Sequence, residues 1–523
     1  MRPAKSLPKK IAVPRAWFAV LSGLILTFAM PHFPFGFLAW FALVPMFWAI
    51  DNAASGRSAV LYGLLTGAVF FGMSLHWLIN VTFFGWIFVF VVLETPFLAL
   101  FGGLAYFGRQ IRIIFLRPLW FALAWSLSEW CRAEIPVFGF GWNLIAYTQA
   151  SYPFMIQFAD IFGAYGLGFL IVFVNGCLVE MLLALMRKKD KRGLDLRLWI
   201  YPVAIVGIIT MLLSYGNFRI RRFEKVRQSL TVSLIQGNIP QNIKWESMAK
   251  DKIVEIYSTL TQLVRFDSPD LILWPEAAFP GFFNRDQEAV PIRELVRQIR
   301  IPLLIGSPHF ENFDRVYNSA YLVDKTGQIV LRYDKLFLVP FGEYVPLKMI
   351  FGWLEAYAYA MGVSDFSSGS EYTVFPLKDN LKFSVLICFE DTFPDLARTF
   401  VNRGANFLAV LTNDAWFGKS SAPYQHLAAS VFRALENGVP VIRAANTGVS
   451  AFISPKGIVL DRVKAKNGED IFITGKATLT LPVQSRMTIY RQYGHWFPYF
   501  VVFVFMVLFV TRSRWTESGP ESM

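Results

Sequence analysis

Residues 383–391 read FSVLICFED, an apolar run that ends at Cys388 and is followed closely by two carboxylates. Such a run is typical of a buried strand, and the acidic pair marks its end. The ends of strands are where α/β proteins present reactive groups. A cysteine in this position is more often a small core residue than a nucleophile. Its role therefore depends on the groups that the rest of the chain brings to it.

The stretch around this run, residues 229–480, alternates short β-branched segments with amphipathic ones. This alternation predicts an α/β domain of roughly 260 residues, which can bury a core unaided. Strands are predicted at residues 230–236, 270–274, 301–306, 319–323, 382–388, 406–412, 439–443 and 448–453. Helices are predicted at residues 247–265, 287–299, 394–403 and 423–437.

The rest of the chain has the composition of a membrane protein. Of 523 residues, 55% are hydrophobic and 17% are charged, and the mean hydropathy of +0.43 is high for a soluble protein. A crossing needs about 20 mostly apolar residues. Candidate crossings lie near residues 16–31, 34–50, 59–79, 83–107, 115–131, 155–185 and 198–215, with a last one at 496–510. Only residues 31–34 separate the first two, which form either two helices or one broken or re-entrant segment.

Lysine and arginine residues indicate the orientation, because short cytoplasmic loops carry the positive excess. The loops on the N-terminal side hold Arg2, Lys5, Lys9, Lys10, Arg15, Arg57, Arg109, Arg112, Arg117, Arg187, Lys188, Lys189, Lys191, Arg192 and Arg197, whereas the opposite loops supply Arg132 alone. Both termini are therefore predicted to be cytoplasmic. The first basic and apolar segment resembles a signal peptide, but no small-residue cleavage site is obvious after it, which favours an uncleaved anchor.

Three domains follow from this orientation. Residues 1–216 are predicted to form a membrane domain of about seven helices. Residues 217–490 form an extracytoplasmic catalytic domain, and residues 491–523 form a C-terminal transmembrane helix with a short cytoplasmic tail.

Composition also excludes several classes of function. The net charge of +13 does not indicate binding to nucleic acid, because the basic residues gather beside apolar segments and form no continuous basic domain. Three cysteines, Cys131, Cys177 and Cys388, cannot make a disulfide framework. The five histidines lack ligand spacing, so no metal site is predicted. Neither a Walker loop nor a convincing dinucleotide fingerprint occurs in the sequence.

Two further motifs make Cys388 a candidate nucleophile. Glu276 follows an apolar run at 271–274 and so also lies at a strand end, and Lys335 precedes an apolar, Pro-flanked loop that contains Glu343. Taken alone, Glu276 is equally well a solvated loop residue, and a lone lysine is more often a surface residue. Together the three types suffice for acyl transfer: the carboxylate accepts the thiol proton and the lysine stabilises the oxyanion. Glu343 either orients the lysine or adds a second carboxylate.

These motifs resemble a known family. Trp-Pro-Glu ending at Glu276, Lys335, and Cys388 with Glu390 two residues later look like the Glu-Lys-Cys triad of the nitrilase superfamily, whose members are amide hydrolases and acyltransferases with a four-layer αββα sandwich. With the N-terminal helices and the C-terminal one, the whole chain resembles the apolipoprotein N-acyltransferase family of bacterial inner membranes. The other segments that carry the resemblance are residues 236–240, Trp245, and residues 339–346, 412–418 and 446–449.

The resemblance implies a multi-pass α-helical membrane domain joined to an αββα sandwich, and the last step of lipoprotein maturation as the activity. A fatty acyl chain would pass from a phospholipid, typically phosphatidylethanolamine, to Cys388 as a thioester. It would then pass to the free amine of the diacylglyceryl-cysteine at the N-terminus of an apolipoprotein. No cofactor is implied. The site would lie on the periplasmic side of the inner membrane, where both substrates are rooted in the lipid bilayer.

The resemblance also assigns supporting roles. Glu343 and Glu390 would support the triad, and Trp245 would bind substrate. Two more aromatic residues, Trp416 and Phe389, are candidates for substrate binding. Relatives often have Tyr at the position of Phe389, so any role for a hydroxyl group there is in doubt, whereas aromatic packing is retained.

Alternatives stay open at the level of the sequence. A membrane-tethered amidase would use the same triad, with water resolving the thioester. A transporter with an extracytoplasmic domain is a second alternative, although the membrane segments carry few charges, chiefly Glu94, Glu129, Asp160 and Glu180, and no clear repeat. The many helices either shape a lipid-accessible cavity or form a scaffold. The aromatic loops at 279–283 and 416–417 either touch lipid or belong to the core.

Overall fold

In a computed structural model, the chain is described over residues 14–111, 113–187, 196–222, 228–313, 315–346, 349, 365–483 and 485–511. The orientation prediction rests partly on basic residues before residue 14 and between 188 and 195, which lie outside the described residues. The same is true of Arg112 and of the predicted C-terminal tail beyond residue 511.

The N-terminal part is helical. Its α-helices are α1 (Ala16–Ala29), α2 (Val44–Asp51), α3 (Gly56–Ser74), α4 (Phe83–Ile87), α5 (Thr95–Gly108), α6 (Leu116–Glu134), α7 (Pro153–Ile156), α8 (Ala159–Arg187) and α9 (Arg197–Arg221). By length and composition, four helical segments of the described chain are long and apolar enough to cross a membrane: Gly56–Ser74, Phe83–Gly108, Ala159–Met186 and Arg197–Arg221. Shorter apolar helices cover Ala16–Ala29, Gly36–Asp51 and Trp496–Thr511.

The first two predicted segments are separate elements joined by a turn. Helix α1 ends at Ala29, a 3₁₀ turn covers Gly36–Trp40, and α2 begins at Val44. At about 1.5 Å per residue, α1 spans roughly 21 Å, which is less than the hydrocarbon thickness of about 30 Å. Because α1 packs against both α2 and α3, these short helices are held by their neighbours in the bundle.

The four carboxylates that the sequence places inside apolar helices each have a partner. A buried charge is costly unless it is paired and hydrogen-bonded. The ion pairs are Glu94–Arg132, Glu180–Arg117 and Asp160–Arg219, and Glu129 accepts a hydrogen bond from the Ile145 N–H. The four carboxylates therefore connect neighbouring parts of the helical bundle.

The remaining part is a sandwich of two six-stranded mixed sheets. Strand order is β12-β1-β2-β3-β4-β5 in the first sheet and β11-β10-β9-β8-β7-β6 in the second. The strands are β1 (Gln228–Gln236), β2 (Leu271–Leu273), β3 (Leu303–Asn312), β4 (Arg315–Val323), β5 (Ile329–Asp334), β6 (Phe375–Pro376), β7 (Lys382–Ile387), β8 (Phe407–Thr412), β9 (Val441–Ala445), β10 (Ala451–Ile453), β11 (Val459–Arg462) and β12 (Gly475–Val483).

Helices cover both outer faces of this sandwich. Helices α10 (Lys250–Val264) and α11 (Val290–Ile299) pack on the first sheet, and α12 (Pro394–Asn402) and α13 (Ala422–Asn437) pack on the second. The predicted αββα sandwich is confirmed. After a short helix α14 (Ile489–Tyr493), α15 (Trp496–Thr511) packs against α6 and α8 and so returns the chain to the helical bundle.

Alternation along the strands builds two cores. Leu271 and Leu273 of β2 face the core between the sheets, because successive side chains of a strand point to opposite faces. Ile272 and Trp274 face the helices instead, where the Trp274 ring stacks on Tyr257 of α10 at 4.9 Å between ring centres. The strands are thereby fixed in register, and so are the residues that follow their ends.

Candidate active site

The three side chains of the predicted triad follow the ends of three strands. Glu276 comes after β2, Lys335 directly after β5, and Cys388 directly after β7. The Lys335 Nζ atom lies 2.8 Å from Glu343 Oε2 and 4.0 Å from Glu276 Oε1. Glu276, Lys335 and Glu343 are buried, and Cys388 is partly exposed. The sandwich thus assembles the acid, the cation and the thiol from both sheets.

An asparagine that the sequence reading missed connects the two carboxylates. The Asn318 side-chain amide donates hydrogen bonds to Glu276 Oε1 at 2.7 Å and to Glu343 Oε1 at 2.8 Å. The backbone N–H of Asn413 donates to the other oxygen of Glu276 at 2.8 Å. Both oxygens of Glu276 are therefore held by donors, which fixes the direction in which this carboxylate can accept a proton.

Cys388 sits on a turn whose backbone is in the left-handed region, at φ +52°. Strained positions of this kind cluster at functional sites and persist only where the surroundings hold them. Here Glu390 holds the turn. Its Oε2 accepts from the Ile387 N–H at 2.8 Å, and its Oε1 accepts from the Leu336 N–H at 2.7 Å and the Tyr333 hydroxyl at 2.8 Å. The Glu390 carboxylate thus joins the cysteine turn to the segment that carries Lys335.

The charges around the thiol favour a protonated resting state. Burial raises the pKa of Cys388, and the Glu276 carboxylate raises it further, while the Lys335 ammonium acts in the opposite direction. Burial alone would lower the pKa of Lys335, but the carboxylates of Glu343 and Glu276 outweigh it and raise that pKa. The site therefore holds a thiol, a permanent cation and carboxylates, so the thiol requires a base before it can attack.

A buried ionic cluster contacts the turn that carries Cys388. It consists of Asp391, Asp414, His426 and Arg443. His426 Nε2 lies 2.9 Å from Asp391 and 3.2 Å from the Cys388 carbonyl oxygen, and Nδ1 lies 3.0 Å from Asp414. Arg443 bridges the two aspartates at 2.9 and 3.2 Å. Burial lowers the pKa of His426, yet the aspartates outweigh it and raise that pKa. The cluster holds the backbone of Cys388 in place.

A second lysine also belongs to the site. Lys244 is buried, and its ammonium donates to the Glu276 carbonyl oxygen at 3.2 Å. Burial lowers the pKa of Lys244 to about 8, although the Glu276 carboxylate, and Cys388 when it is a thiolate, act in the opposite direction. The sequence signal for this residue was its position between residues 236–240 and Trp245, which carry the resemblance.

The three predicted substrate-binding residues have different environments. Trp245 is 52% exposed and Trp416 is 38% exposed, whereas Phe389 is 7% exposed. Phe389 packs between Phe140 of the helical part and Phe393, with ring centres 5.8 and 5.1 Å away. The two tryptophans are therefore available at the surface, and Phe389 joins the helical bundle to the cysteine turn. In the loop at 279–283, the rings of residues 279 and 283 are buried in the core.

We predict that Glu390→Gln lowers the activity of this site by at least about tenfold while the protein still folds. The carboxylate accepts from four donors, and an amide nitrogen in place of one oxygen would face a donor, leaving it unsatisfied. Burial raises the pKa of Glu390 to about 7, so acid conditions should lower activity in the same way. Activity assays on wild type and variant across pH 5.5–8 test this; an unchanged rate in the variant would contradict it.

Comparisons with known proteins agree with this architecture. A model described as the apolipoprotein N-acyltransferase N-terminal domain matches residues 22–177, and one described as carbon-nitrogen hydrolase matches residues 231–482. An apolipoprotein N-acyltransferase of Geobacter metallireducens is 36% identical over 86% of this chain and 88% of its own length. One of Rhodopseudomonas palustris is 31% identical over 96% of this chain and 95% of its own length.

Among solved structures, an amidase from Nesterenkonia sp. matches 50% of this chain and 92% of its own length, with 19% identity and a TM-score of 0.38. The curated relatives match along nearly the whole chain, helices and sandwich together, at identities above 30%. The motifs predicted membership of the nitrilase superfamily, and this prediction is confirmed. This chain belongs to the apolipoprotein N-acyltransferase family.

Proposed function

We propose that this chain transfers a fatty acyl group from a phospholipid, through a thioester on Cys388, to the N-terminal amine of the diacylglyceryl-cysteine of apolipoproteins. The observation that carries the proposal is the convergence of Glu276, Lys335 and Cys388 in a chain of this family. Both substrates have acyl chains in the bilayer. A site joined to a helical bundle keeps the thiol beside their reacting groups, and this orientation lowers the barrier.

In the first half-reaction, Glu276 accepts the proton of the Cys388 thiol, and the thiolate attacks the ester carbonyl of the phospholipid. The negative charge that develops on the carbonyl oxygen is stabilised by the ammonium of Lys335. The ester C–O bond then breaks, and Glu276 returns the proton to the leaving oxygen of the lysophospholipid. Glu343 supports this step because it pairs with Lys335 at 2.8 Å and keeps the lysine charged.

In the second half-reaction, the free amine of the acceptor attacks the thioester carbon. The new C–N bond forms, the C–S bond breaks, and the thiol is regenerated on Cys388. Exposed Trp245 and Trp416 are suited to contact the substrates, because an indole offers a large apolar surface with a hydrogen-bond donor. An amidase would instead use water at this step; the curated relatives named as acyltransferases favour the amine.

Location and donor are part of the proposal. We place residues 217–490 on the periplasmic side of the bacterial inner membrane, between the membrane domain at 1–216 and the terminal span at 491–523, with both termini cytoplasmic. The excess of Lys and Arg on one side of the predicted spans supports this orientation. Phosphatidylethanolamine is the proposed donor, and it follows from the family resemblance.

We predict ping-pong kinetics for the purified, detergent-solubilised enzyme with phospholipid and a diacylglyceryl-cysteine peptide. Because the first product leaves before the acceptor reacts, plots of reciprocal rate against reciprocal donor concentration should give parallel lines at different peptide concentrations. Vesicles of phosphatidylethanolamine, phosphatidylglycerol and phosphatidylcholine compared side by side rank the donors. Intersecting lines would contradict a thioester intermediate that forms before the acceptor reacts. Release of free fatty acid at a rate that the peptide does not reduce would favour the amidase.

A further inference from the structure

Among the residues that the structure describes, no carboxylate pairs with the buried Lys244. Lys244 is 1% exposed, and its ammonium donates a hydrogen bond to the backbone carbonyl oxygen of Glu276. Within the described part of the chain, no carboxylate oxygen lies within 4.0 Å of its nitrogen, whereas Lys335 is 2.8 Å from Glu343. An ammonium that is buried without a paired anion is costly, so this environment makes the lysine easier to deprotonate than a lysine in water.

The loop that carries Lys244 is fixed to the catalytic strands. The Asn446 side chain bonds both backbone groups of Ile239, at 2.9 and 2.7 Å. The Asn413 side chain donates to Gln241 at 2.8 Å. Because Asn413 is also the residue whose backbone holds Glu276, the lysine has a defined position relative to the triad.

The titratable groups whose charges act on Lys244 are Glu276 and Cys388. Both belong to the proposed triad, and the Lys244 ammonium lies 3.2 Å from the carbonyl oxygen of Glu276, so the amine is part of the same site. Burial brings the pKa of Lys244 to about 8, which leaves both protonation states populated near neutral pH. Lys335 remains a permanent cation, so the two lysines of the site have different properties.

The second half-reaction needs a base whose pKa is close to that of the acceptor's α-ammonium. The acceptor arrives as an α-ammonium with a pKa of about 8, and it must lose a proton before its nitrogen can attack. A carboxylic acid in water is about four pKa units more acidic than an α-ammonium, so a carboxylate is a weak acceptor for that proton. A base works best when its pKa is close to the operating pH and to that of the group it deprotonates.

We propose that Lys244 is a catalytic base of the second half-reaction, which accepts a proton from the α-ammonium of the acceptor cysteine. The freed amine attacks the thioester carbon, the C–N bond forms and the C–S bond breaks. The thiolate of Cys388 takes the second proton of the attacking nitrogen, and the Lys244 ammonium loses its proton to water. This inference rests on the proposed function, since it requires a thioester on Cys388.

The test separates the two half-reactions. Enzyme is loaded with acyl chain from phosphatidylethanolamine vesicles, and decay of the thioester after addition of a diacylglyceryl-cysteine peptide is followed by intact-protein mass spectrometry from pH 7 to 9.5. For Lys244→Met, we expect loading within about tenfold of wild type and transfer slowed by about 100-fold at pH 7. The deficit should shrink to about tenfold or less at pH 9.5, because the solvent then supplies the free amine.

Two further variants make the test specific. Lys244→Arg keeps the charge and the donor but cannot act as a base, so its transfer should be as slow as that of Lys244→Met. Lys252→Met, an exposed lysine of α10, should behave as wild type. The proposal is overturned if Lys244→Arg transfers at the wild-type rate, if the deficit of Lys244→Met is the same at every pH, or if Lys244→Met fails to load. A wild-type enzyme that does not load would overturn the proposed function instead.

Discussion

Cys388→Ser is expected to lower acyl transfer by at least about 10⁴-fold, because removing the nucleophile of a covalent mechanism removes the whole pathway and leaves only binding and oxyanion stabilisation. A serine hydroxyl is a far weaker acid than a thiol, so Glu276 cannot generate its anion at neutral pH. The measurement is the rate of peptide N-acylation with a phospholipid donor, with wild type and variant inserted in membranes at equal amounts.

The chain supplies a matched control for this substitution. Cys131, in α6, is also partly exposed and free, and it does not belong to the catalytic cluster. Cys131→Ser should therefore transfer at the wild-type rate. Activity in Cys388→Ser close to that of Cys131→Ser would contradict the thioester mechanism.

The second large effect is expected for Glu276→Gln. A glutamine cannot accept the thiol proton, so thioester formation should fall by about 10²- to 10⁴-fold. The loss is not only one of charge: Asn318 and Asn413 both donate to this carboxylate, and an amide nitrogen would face one of these donors. Loading of Cys388 by phospholipid, measured as the initial rate of thioester formation, reports this step separately from transfer.

A glutamate outside the site serves as the control. Glu294 lies on the exposed face of α11 and pairs with Arg297 at 2.7 Å; such surface pairs are worth less than about 1 kcal/mol. Glu294→Gln should load at the wild-type rate. Loading of Glu276→Gln at that same rate would remove Glu276 from the role of base.

The sequence was most informative at the ends of strands. Glu276 and Cys388 each follow an apolar run, and the structure has a strand before each, because period and apolar content identify a buried strand without knowledge of its neighbours. The helices predicted at 394–403 and 423–437 are present within a residue at each end. Local patterns therefore sufficed to place these candidate catalytic residues at strand ends.

Other elements depend on distant partners and escaped prediction. Strand β12 pairs antiparallel with β1 across more than 200 residues of sequence, and its side chains are largely half-exposed, so it lacks a strong apolar pattern. Strand β5, which ends beside Lys335, was missed for the same reason. A strand at the edge of a sheet is stabilised by pairing with its neighbour, and the sequence of the strand alone does not predict that pairing.

The supporting residues of the site were missed because their roles arise from contacts across the fold. Asn318 lies 42 residues from Glu276 in sequence and 2.7 Å away in space. His426 had no metal-ligand spacing, yet it reaches the backbone of Cys388 between two aspartates. Polar residues inside a strand or a helix carry no sign of which buried partner they will meet.

The helical bundle is more than an anchor for the sandwich. Trp77 and Trp142 both donate to the Gln425 side chain on α13, at 3.0 and 2.9 Å, and the Trp142 ring packs against His426 in a tilted arrangement, with ring centres 4.9 Å apart. Phe140 packs on Phe389, the residue after Cys388. These contacts connect the helical bundle directly to the residues that hold Cys388. From the sequence alone, the helices could form either a scaffold or a lipid-accessible cavity.

Intact-protein mass spectrometry of the enzyme incubated with phospholipid in the absence of acceptor tests the central claim most directly. We predict a mass increase of one acyl chain, located on the peptide that contains Cys388, released by neutral hydroxylamine and lost when a diacylglyceryl-cysteine peptide is added. An enzyme that acylates the peptide but never carries the acyl chain on Cys388 would contradict the account.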